Sequence, residues 1–184
     1  NTFNISTTCA LLCAAAGVAV AKHGNRAITS QSGSADVLAA LGIPTDLPPE
    51  AAAAALTEHN FAFLFAPLYH PAFKHIAPAR QLCAQQGQRT LFNFLGPLLN
   101  PARPVAQLIG VPRVDLCEPI GQVLQDIGVR RGMVVCGSAG ERRMDELSTL
   151  GETAIAEFYQ DKGWAETTMD PLNLPLLPAT LADL

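Results

Sequence analysis

Apolar residues along the chain form short runs of two kinds, and each kind predicts a different element. The run at 18–22 alternates β-branched and small residues, and the run at 61–65 is compact and aromatic, so both predict buried strands. Small apolar residues fill 6–16 behind several hydroxyl residues. That pattern predicts a helix capped by hydroxyl side chains at its start and closed by Gly17.

Polar and glycine-rich segments separate these runs. Residues 23–33 are rich in Gly, Asn, Ser and Thr and predict a loop, after which 34–41 predicts a helix closed by Gly42. An alanine-rich helix is predicted from Pro48 to about position 57. A strand, a polar loop and a helix in succession are typical of α/β proteins.

Prolines interrupt the pattern in the middle of the chain. Residues 71–86 predict a helix that Pro78 kinks or divides. The segment 90–101 contains one Gly-Pro pair and one Asn-Pro pair. Because both pairs favour turns, this segment predicts an irregular, tightly turned stretch.

The last part of the chain predicts two supersecondary units. Strands at 106–111 and 133–136 enclose a segment with helical spacing at 114–127, which predicts a βαβ crossover. Strands at 153–159 and 164–168 predict a hairpin. We therefore expect an α/β fold with a mostly parallel sheet flanked by helices, and a ligand site at the carboxyl ends of its strands.

Composition narrows the class of protein. The 184 residues are 49% hydrophobic and 15% charged, which excludes a disordered chain and fits a single domain over 1–184. The formal charge of −4 provides no basic field for nucleic acid, and no apolar run is long enough for a membrane span. The five cysteines lack Cys-x-x-Cys spacing, which argues against a disulfide framework or a zinc site and favours a cytoplasmic location.

Polar side chains concentrate directly after the first predicted strand. Lys22 can place a point charge on a phosphate, while His23 and Asn25 can orient a planar polar substrate. The serines from Ser30 to Ser34 lead into a helix start, where backbone amides and hydroxyls could bind an anion. A solvated surface turn with ordinary capping at Ser34 is the simpler alternative.

Three further groups carry candidate chemistry. Ser6 and Thr7 lie at another helix start, where capping is again the simpler interpretation. Asp145 and Glu146 follow a strand and have the carboxylates that Mg²⁺ prefers, although neighbouring charged residues also fit a solvated cluster. His70 and Arg80 flank the proline-divided helix, and an arginine on a helix is most often only solubilising.

The order of these strings resembles the anthranilate phosphoribosyltransferase family. The resemblance runs from residue 1 to about residue 160. The strings that carry it, in chain order, are Asn4-Ile5-Ser6-Thr7, Lys22-His23-Gly24-Asn25-Arg26, Ser32-Gly33-Ser34-Ala35-Asp36, Phe65 through His70-Pro71-Ala72, Arg89-Thr90 through Phe92-Asn93 to Leu95-Gly96-Pro97-Leu98, Asn100-Pro101 and Met144-Asp145-Glu146-Leu147-Ser148.

The resemblance implies a type-IV phosphoribosyltransferase fold, related to nucleoside phosphorylases, and a Mg²⁺-dependent reaction in tryptophan biosynthesis. In that reaction the phosphoribosyl group of 5-phosphoribosyl 1-diphosphate moves to anthranilate and pyrophosphate leaves. It implies three sets of site residues and no side chain acting as a strong general base. The donor would be held by Asn4, Ser6, Thr7, Lys22 and Ser34, anthranilate by His23, Asn25, His70, Arg80 and Pro97, and Mg²⁺ by Ser6, Asp145 and Glu146.

Compared with that family, the chain lacks three parts. These are a glycine-rich donor loop, an N-terminal helical domain and C-terminal helices, so we expect an internal fragment of a protein that is a homodimer at full length. The link after Arg80 is also about three residues longer than usual. Three alternatives remain: a pyrimidine-nucleoside phosphorylase-like enzyme, a nucleic-acid-binding paralogue, and a family member that is inactive as this fragment.

Overall fold

The computed structural model describes residues 4–26, 32–88, 90–160, 162–177 and 180. Two motif residues, Ser30 and Arg89, lie outside the described residues. The chain divides into two compact units, Asn1–Ala102 and Arg103–Leu184, and each is described by itself. The described parts contain no helix with the length and apolar character of a membrane span.

The first unit alternates helices with two strands. A 3₁₀ helix, Pro71–His75, precedes the fifth α-helix. In chain order the elements are α1 (Ile5–Ala15), β1 (Val20–Gly24), α2 (Ser34–Ala40), α3 (Pro49–His59), β2 (Phe61–Phe65), α4 (Ala66–Tyr69), α5 (Ala77–Gln85) and α6 (Phe92–Leu98).

Strands β1 and β2 pair in parallel, with Val20 opposite Phe61 and Gly24 opposite Phe65. Four of the five β2 residues are buried, as expected for a parallel strand covered on both faces. Leu38 and Phe63 are fully buried on one side of this pair. The carboxyl end of β1 is thereby fixed to a rigid neighbour.

The cap of α1 differs from the sequence expectation. The Asn4 side chain accepts a hydrogen bond from the Thr7 backbone N–H at 3.0 Å, so Asn4 is the cap and the hydroxyl residues lie inside the first turn. Asn caps as well as Ser, and here it stands at the last non-helical residue. The predicted end is confirmed, since Gly17 has φ +88°.

Tertiary pairing moved two other boundaries. The strand predicted at 18–22 runs from Val20 to Gly24, so His23 and Gly24 belong to the strand and not to the loop predicted at 23–33. Pairing with β2 as far as Phe65 outweighs their weak strand propensity. Of the predicted loop, residues 27–31 lie outside the described residues. The strand predicted at 61–65 is confirmed.

The turned segment predicted at 90–101 is wrong for its central part, which is helix α6. Pro97 is the next-to-last residue of that helix, so its missing N–H removes one hydrogen bond of the last turn while the first turn stays intact. The division predicted within 71–86 is confirmed. Pro78 is the second residue of α5, where a helix needs no N–H donor.

The second unit is built on one sheet. It also contains two 3₁₀ helices, Val114–Leu116 before its α-helix and Pro171–Asn173 after its last strand. In chain order those elements are β3 (Ala106–Gly110), α7 (Cys117–Asp126), β4 (Arg131–Ala139), β5 (Arg142–Met144), β6 (Thr153–Tyr159) and β7 (Gly163–Met169).

The sheet has the order β3-β4-β6-β7, with β5 also paired to β4. The predicted crossover is confirmed, because β3 and β4 are parallel and α7 connects them. The predicted hairpin of β6 and β7 is also confirmed. The α/β class therefore holds, but the sheet is mixed and not mostly parallel, since the short links after β4 and β6 allow only antiparallel returns.

A matched pair of leucines tests the core of the first unit. Leu38 has 0% of its surface exposed and Leu12 has 69%. We expect Leu38→Ala to lower the free energy of unfolding by about 2–5 kcal/mol, because it removes buried contacts and leaves a cavity. Leu12→Ala should change it by less than about 0.5 kcal/mol. Urea unfolding of both variants measures the difference, and equal losses would contradict the assigned core.

Candidate functional site

An aromatic row lies at the carboxyl end of β1. We use that name for His23, His70, Phe73 and Phe92. The ring centroids are 5.0 Å apart for His23 and His70, 5.4 Å for His70 and Phe73, and 6.1 Å for Phe73 and Phe92. The Arg80 guanidinium lies 5.9 Å from the Phe92 centroid. The row thus has an imidazole pair at one end and a cation at the other.

His23 is held in one tautomer by the backbone of α6. Its Nδ1 lies 3.1 Å from the Gly96 carbonyl oxygen. A carbonyl only accepts hydrogen bonds, so Nδ1 carries the proton and donates it. Burial lowers the pKa of His23, opposed by the Gly96 hydrogen bond and assisted by nearby His70. In the neutral ring, Nε2 is therefore a hydrogen-bond acceptor.

Two imidazole nitrogens in the row are buried without a partner. Among the described residues, His23 Nε2 and His70 Nε2 have no hydrogen bond. A buried polar atom without a partner is unfavourable by about 1–3 kcal/mol, so such atoms mark places where a ligand group can complete the bonding. The imidazole end of the row is suited to a polar group carried on a flat ring.

The other two residues predicted to contact anthranilate lie beside this end. Pro97 is exposed and follows Gly96, whose carbonyl accepts from His23. Asn25 is exposed just past β1, and its backbone carbonyl accepts from the Ala35 N–H at 3.3 Å. The aromatic row thus includes His23 and His70 and has Arg80 beside Phe92, and Pro97 and Asn25 lie near its β1 end.

The start of α1 faces Lys22 of β1. Lys22 Nζ donates to Ser6 Oγ at 3.2 Å, and the Ser6 hydroxyl lies 3.4 Å from the Asn4 side-chain oxygen. The Thr7 hydroxyl is buried and has no partner among the described residues. An ammonium group, hydroxyls and the free N–H groups of a helix start are the donors that bind phosphate. Asn4, Ser6, Thr7 and Lys22, four of the five residues predicted to bind the phosphoribosyl diphosphate, are therefore neighbours.

The fifth, Ser34, is the first residue of α2 and lies beside the end of β1. A Cβ built on Gly24 would stand 3.5 Å from the Ser34 Cβ and 3.0 Å from the Phe63 ring. The Phe63 ring therefore leaves little room for a side chain at position 24, whereas Ser34 lies at ordinary contact distance. Two contacts converge on Asp36 near Ser34, since Gly33 N–H donates to its carboxylate at 2.9 Å and the Arg26 guanidinium lies 3.8 Å from the same carboxylate.

The carboxylates Asp145 and Glu146 belong to the second unit. They do not follow the strand at 133–136 through a simple loop, as expected, because β4 continues to Ala139 and returns as β5. A Cβ on Gly110 would overlap the Asp145 carbonyl oxygen. The return along β5 therefore places the pair against the carboxyl end of β3.

Backbone contacts fix this pair. A Cβ on Gly137 would overlap the Glu146 carbonyl oxygen, and the buried Ser148 N–H donates to Thr153 Oγ1 at 2.9 Å. Among the described residues, no three His, Cys, Asp or Glu side chains cluster as a metal site. Two carboxylates with water and phosphate oxygens suffice for Mg²⁺, so the residues present fit this ion.

Sequence reasoning missed four contributors to this arrangement. Phe73 was not singled out, and Phe92, Gly96 and Asn100 were noted only in the strings that carry the resemblance or in a predicted turn, without a role in the site. The spacing of Phe73 three residues after His70 is a weak signal for a shared face. No local signal identifies the others, because Gly96 contacts a residue 73 positions away and Asn100 one 79 positions away.

Comparisons with known proteins agree over the whole chain. The model of the glycosyl transferase family, α/β domain, matches residues 1–184. Proteins called anthranilate phosphoribosyltransferase from Methanosarcina barkeri and Lacticaseibacillus casei are each 49% identical over all of this chain, which covers 48% and 52% of their lengths. The chain spans about half the length of the curated relatives it matches.

A solved structure gives the same result. The crystal structure of anthranilate phosphoribosyltransferase from Thermus thermophilus is similar to 98% of this chain, with a TM-score of 0.81 and 46% sequence identity. The match covers 51% of that protein. Similarity at this level extends to the fold as well as to the sequence strings.

The buried His23 predicts a pH dependence of stability. Its pKa is below 6.5 in the folded state, so the unfolded chain binds the extra proton first as pH falls. We expect the stability that neutral His23 provides to be present above about pH 6.5 and to decrease below it. His23→Gln should weaken the fall in melting temperature between pH 7.5 and 5.5. The exposed control His59→Gln should leave that fall unchanged, and a His23→Gln profile parallel to wild type would contradict the assignment.

Proposed function

The chain belongs to the glycosyl transferase family whose α/β-domain model it matches throughout, and from this premise we propose that it forms the α/β part of an anthranilate-using phosphoribosyltransferase. The reaction moves the phosphoribosyl group of 5-phosphoribosyl 1-diphosphate to the amino nitrogen of anthranilate and releases pyrophosphate. The observation that supports it best is the aromatic row, with two unpartnered imidazole Nε2 atoms at one end and Arg80 at the other.

Anthranilate has three features that the row can recognise. Its flat ring can stack on aromatic side chains, and its carboxylate matches the planar fork of a guanidinium such as Arg80. Its amino group donates hydrogen bonds, which neutral His23 can accept at Nε2. A nucleobase would have no carboxylate for Arg80, which disfavours the nucleoside phosphorylase alternative.

The donor is proposed to bind at the start of α1. Lys22 supplies a positive charge, and Asn4, Ser6 and Thr7 supply side-chain oxygens and backbone N–H groups. Ser34 adds a hydroxyl on the far side of the β1 end. Lys22 and His23 are consecutive in β1. One strand therefore carries a residue proposed to bind phosphoribosyl diphosphate and a residue proposed to bind anthranilate.

The proposed mechanism relies on position and charge. The amine lone pair forms a bond to C1 of the ribose while the bond from C1 to the pyrophosphate oxygen breaks, and pyrophosphate keeps that electron pair. The nitrogen then loses one proton, which the departing pyrophosphate accepts. Lys22 stabilises the departing negative charge, and the row holds the weakly basic aromatic amine in line with C1. No strong general base is needed for this sequence.

Magnesium is proposed as the cofactor. Asp145 and Glu146 would hold it, and Ser6 is the third candidate ligand. When bound, Mg²⁺ would neutralise negative charge on the diphosphate oxygens and so assist the departure of pyrophosphate. Asp145 and Glu146 would orient it through a loop whose backbone is fixed against Gly110 and Gly137.

The wider setting follows from the same proposal. The reaction belongs to tryptophan biosynthesis, and we place it in the cytoplasm. The complete protein is proposed to be a homodimer that uses small-molecule substrates, with neither nucleic acid nor a membrane as partner. Retention of DNA at physiological salt, in a protein without transferase activity, would instead support the nucleic-acid-binding alternative.

Two variants of the complete gene product should affect the binding of the two substrates separately. Arg80→Met removes the guanidinium proposed for the carboxylate, and we expect the KM for anthranilate to rise about tenfold or more. Lys22→Met should raise the KM for phosphoribosyl diphosphate instead. Each variant should leave the other KM within about twofold, as judged by the loss of anthranilate fluorescence.

Lys74→Met is the control for these variants, because Lys74 is exposed. It should change neither KM. Wild-type protein that folds but does not consume anthranilate would contradict the proposal, and so would a turnover of thymidine with phosphate.

Metal dependence gives a separate prediction. Asp145→Asn keeps the shape of the side chain and removes its charge, so the Mg²⁺ concentration for half-maximal velocity should rise about tenfold or more. Glu141→Gln makes the same kind of change at an exposed residue and should have no such effect. An unchanged Mg²⁺ titration for Asp145→Asn would exclude this residue as a ligand.

A further inference from the structure

The outer edge of β1 is covered by a side chain. Val20 N–H donates to Asn60 O on the β2 side, and backbone groups alternate along a strand, so the Ala21 carbonyl faces the opposite edge. Among the described residues β1 pairs only with β2. The Asn100 side-chain amide donates to the Ala21 carbonyl at 2.9 Å and takes the place of a neighbouring strand.

A second hydrogen bond joins the same two segments. His23 Nδ1 donates to the Gly96 carbonyl at 3.1 Å. Gly96 lies in α6 and Asn100 two residues after its end, while Ala21 and His23 lie two positions apart in β1. The end of α6 and the residues just after it are therefore bonded to β1 at two points.

The two hydrogen bonds together fix the position of α6 along β1. A shift of one helical turn would move the Gly96 carbonyl by about 5.4 Å and break its bond to His23. The bond from Asn100 prevents such a shift. It thereby keeps Gly96 where its carbonyl selects the tautomer of His23, and Pro97 beside the same imidazole.

We propose that Asn100 is a positioning residue for the acceptor site. Through the Ala21 carbonyl it holds α6 in the register at which Gly96 accepts from His23 Nδ1, which leaves His23 Nε2 to accept from an N–H donor on the substrate. The substrate class, an aromatic amine, rests on the proposed function. The effect of Asn100 on the His23 tautomer rests only on the two hydrogen bonds.

A simpler role for Asn100 is to form the turn before Pro101. Its side-chain oxygen accepts from the Ala102 N–H at 3.0 Å, which is an ordinary turn contact. That contact does not account for the amide nitrogen on Ala21. Asp and Ser both suit a turn before proline. They therefore retain the turn role while removing the amide donor.

The test uses the complete gene product with Asn100→Asp and Asn100→Ser. Nitrogen-15 NMR of the imidazoles should show His23 with the proton on Nδ1 in wild type and a mixture of tautomers in both variants. The KM for anthranilate should rise about 5- to 10-fold, while the KM for phosphoribosyl diphosphate stays within about twofold. Asn173→Asp, the same change at an exposed asparagine, is the control and should alter neither quantity.

Three results would overturn the proposal. These are a wild-type His23 with its proton on Nε2, variants with an unchanged tautomer, and loss of the fold in both turn-compatible variants, which would make Asn100 a structural residue. Wild-type protein without transferase activity would refute the proposed function. The tautomer measurement would still decide the role of Asn100, because it needs no turnover.

Discussion

The hydrogen bond from the His23 imidazole to the Gly96 carbonyl is the contact on which the acceptor side of the site depends. It joins the carboxyl end of β1 to α6, two segments that lie 73 residues apart in the chain. It sets which nitrogen of His23 carries the proton, and burial keeps the ring neutral by lowering its pKa. The orientation of His23 in turn sets its edge-on contact with His70, from which the row continues through Phe73 and Phe92 to Arg80.

Glycines support the candidate metal ligands in a similar way. Gly110 and Gly137 allow the backbone of Asp145 and Glu146 to lie against β3 and β4. A methyl group at any of these glycines would meet a neighbour at or inside contact distance. The side chains that carry charge are thus placed by residues that carry none, which is a common division of roles in binding sites.

Much of the fold could be predicted from the sequence, because local patterns encode it. The compact apolar run at Phe61–Phe65 and the helix closed by Gly42 needed no tertiary information. Errors arose where tertiary contacts decided the outcome. Pairing with β2 extended β1 through His23 and Gly24, and packing kept α6 helical despite Pro97. The return of β5, which places Asp145 next to Gly110, has no local signal either.

The candidate site likewise has one part that could be predicted from the sequence and one part that could not. The strings around Lys22 and Asp145 were visible because charged residues are rare in this chain. The aromatic row was not visible as a unit, since its four rings come from three separate segments of the chain. Only the folded chain shows that His70, Phe73 and Phe92 connect His23 to Arg80.

A crystal structure of the complete protein with anthranilate, phosphoribosyl diphosphate and Mg²⁺ would test the central claim most directly. The account predicts the anthranilate ring against the aromatic row, with its amine facing His23 Nε2. Anthranilate bound elsewhere, with both imidazole Nε2 atoms still lacking a partner, would contradict the account.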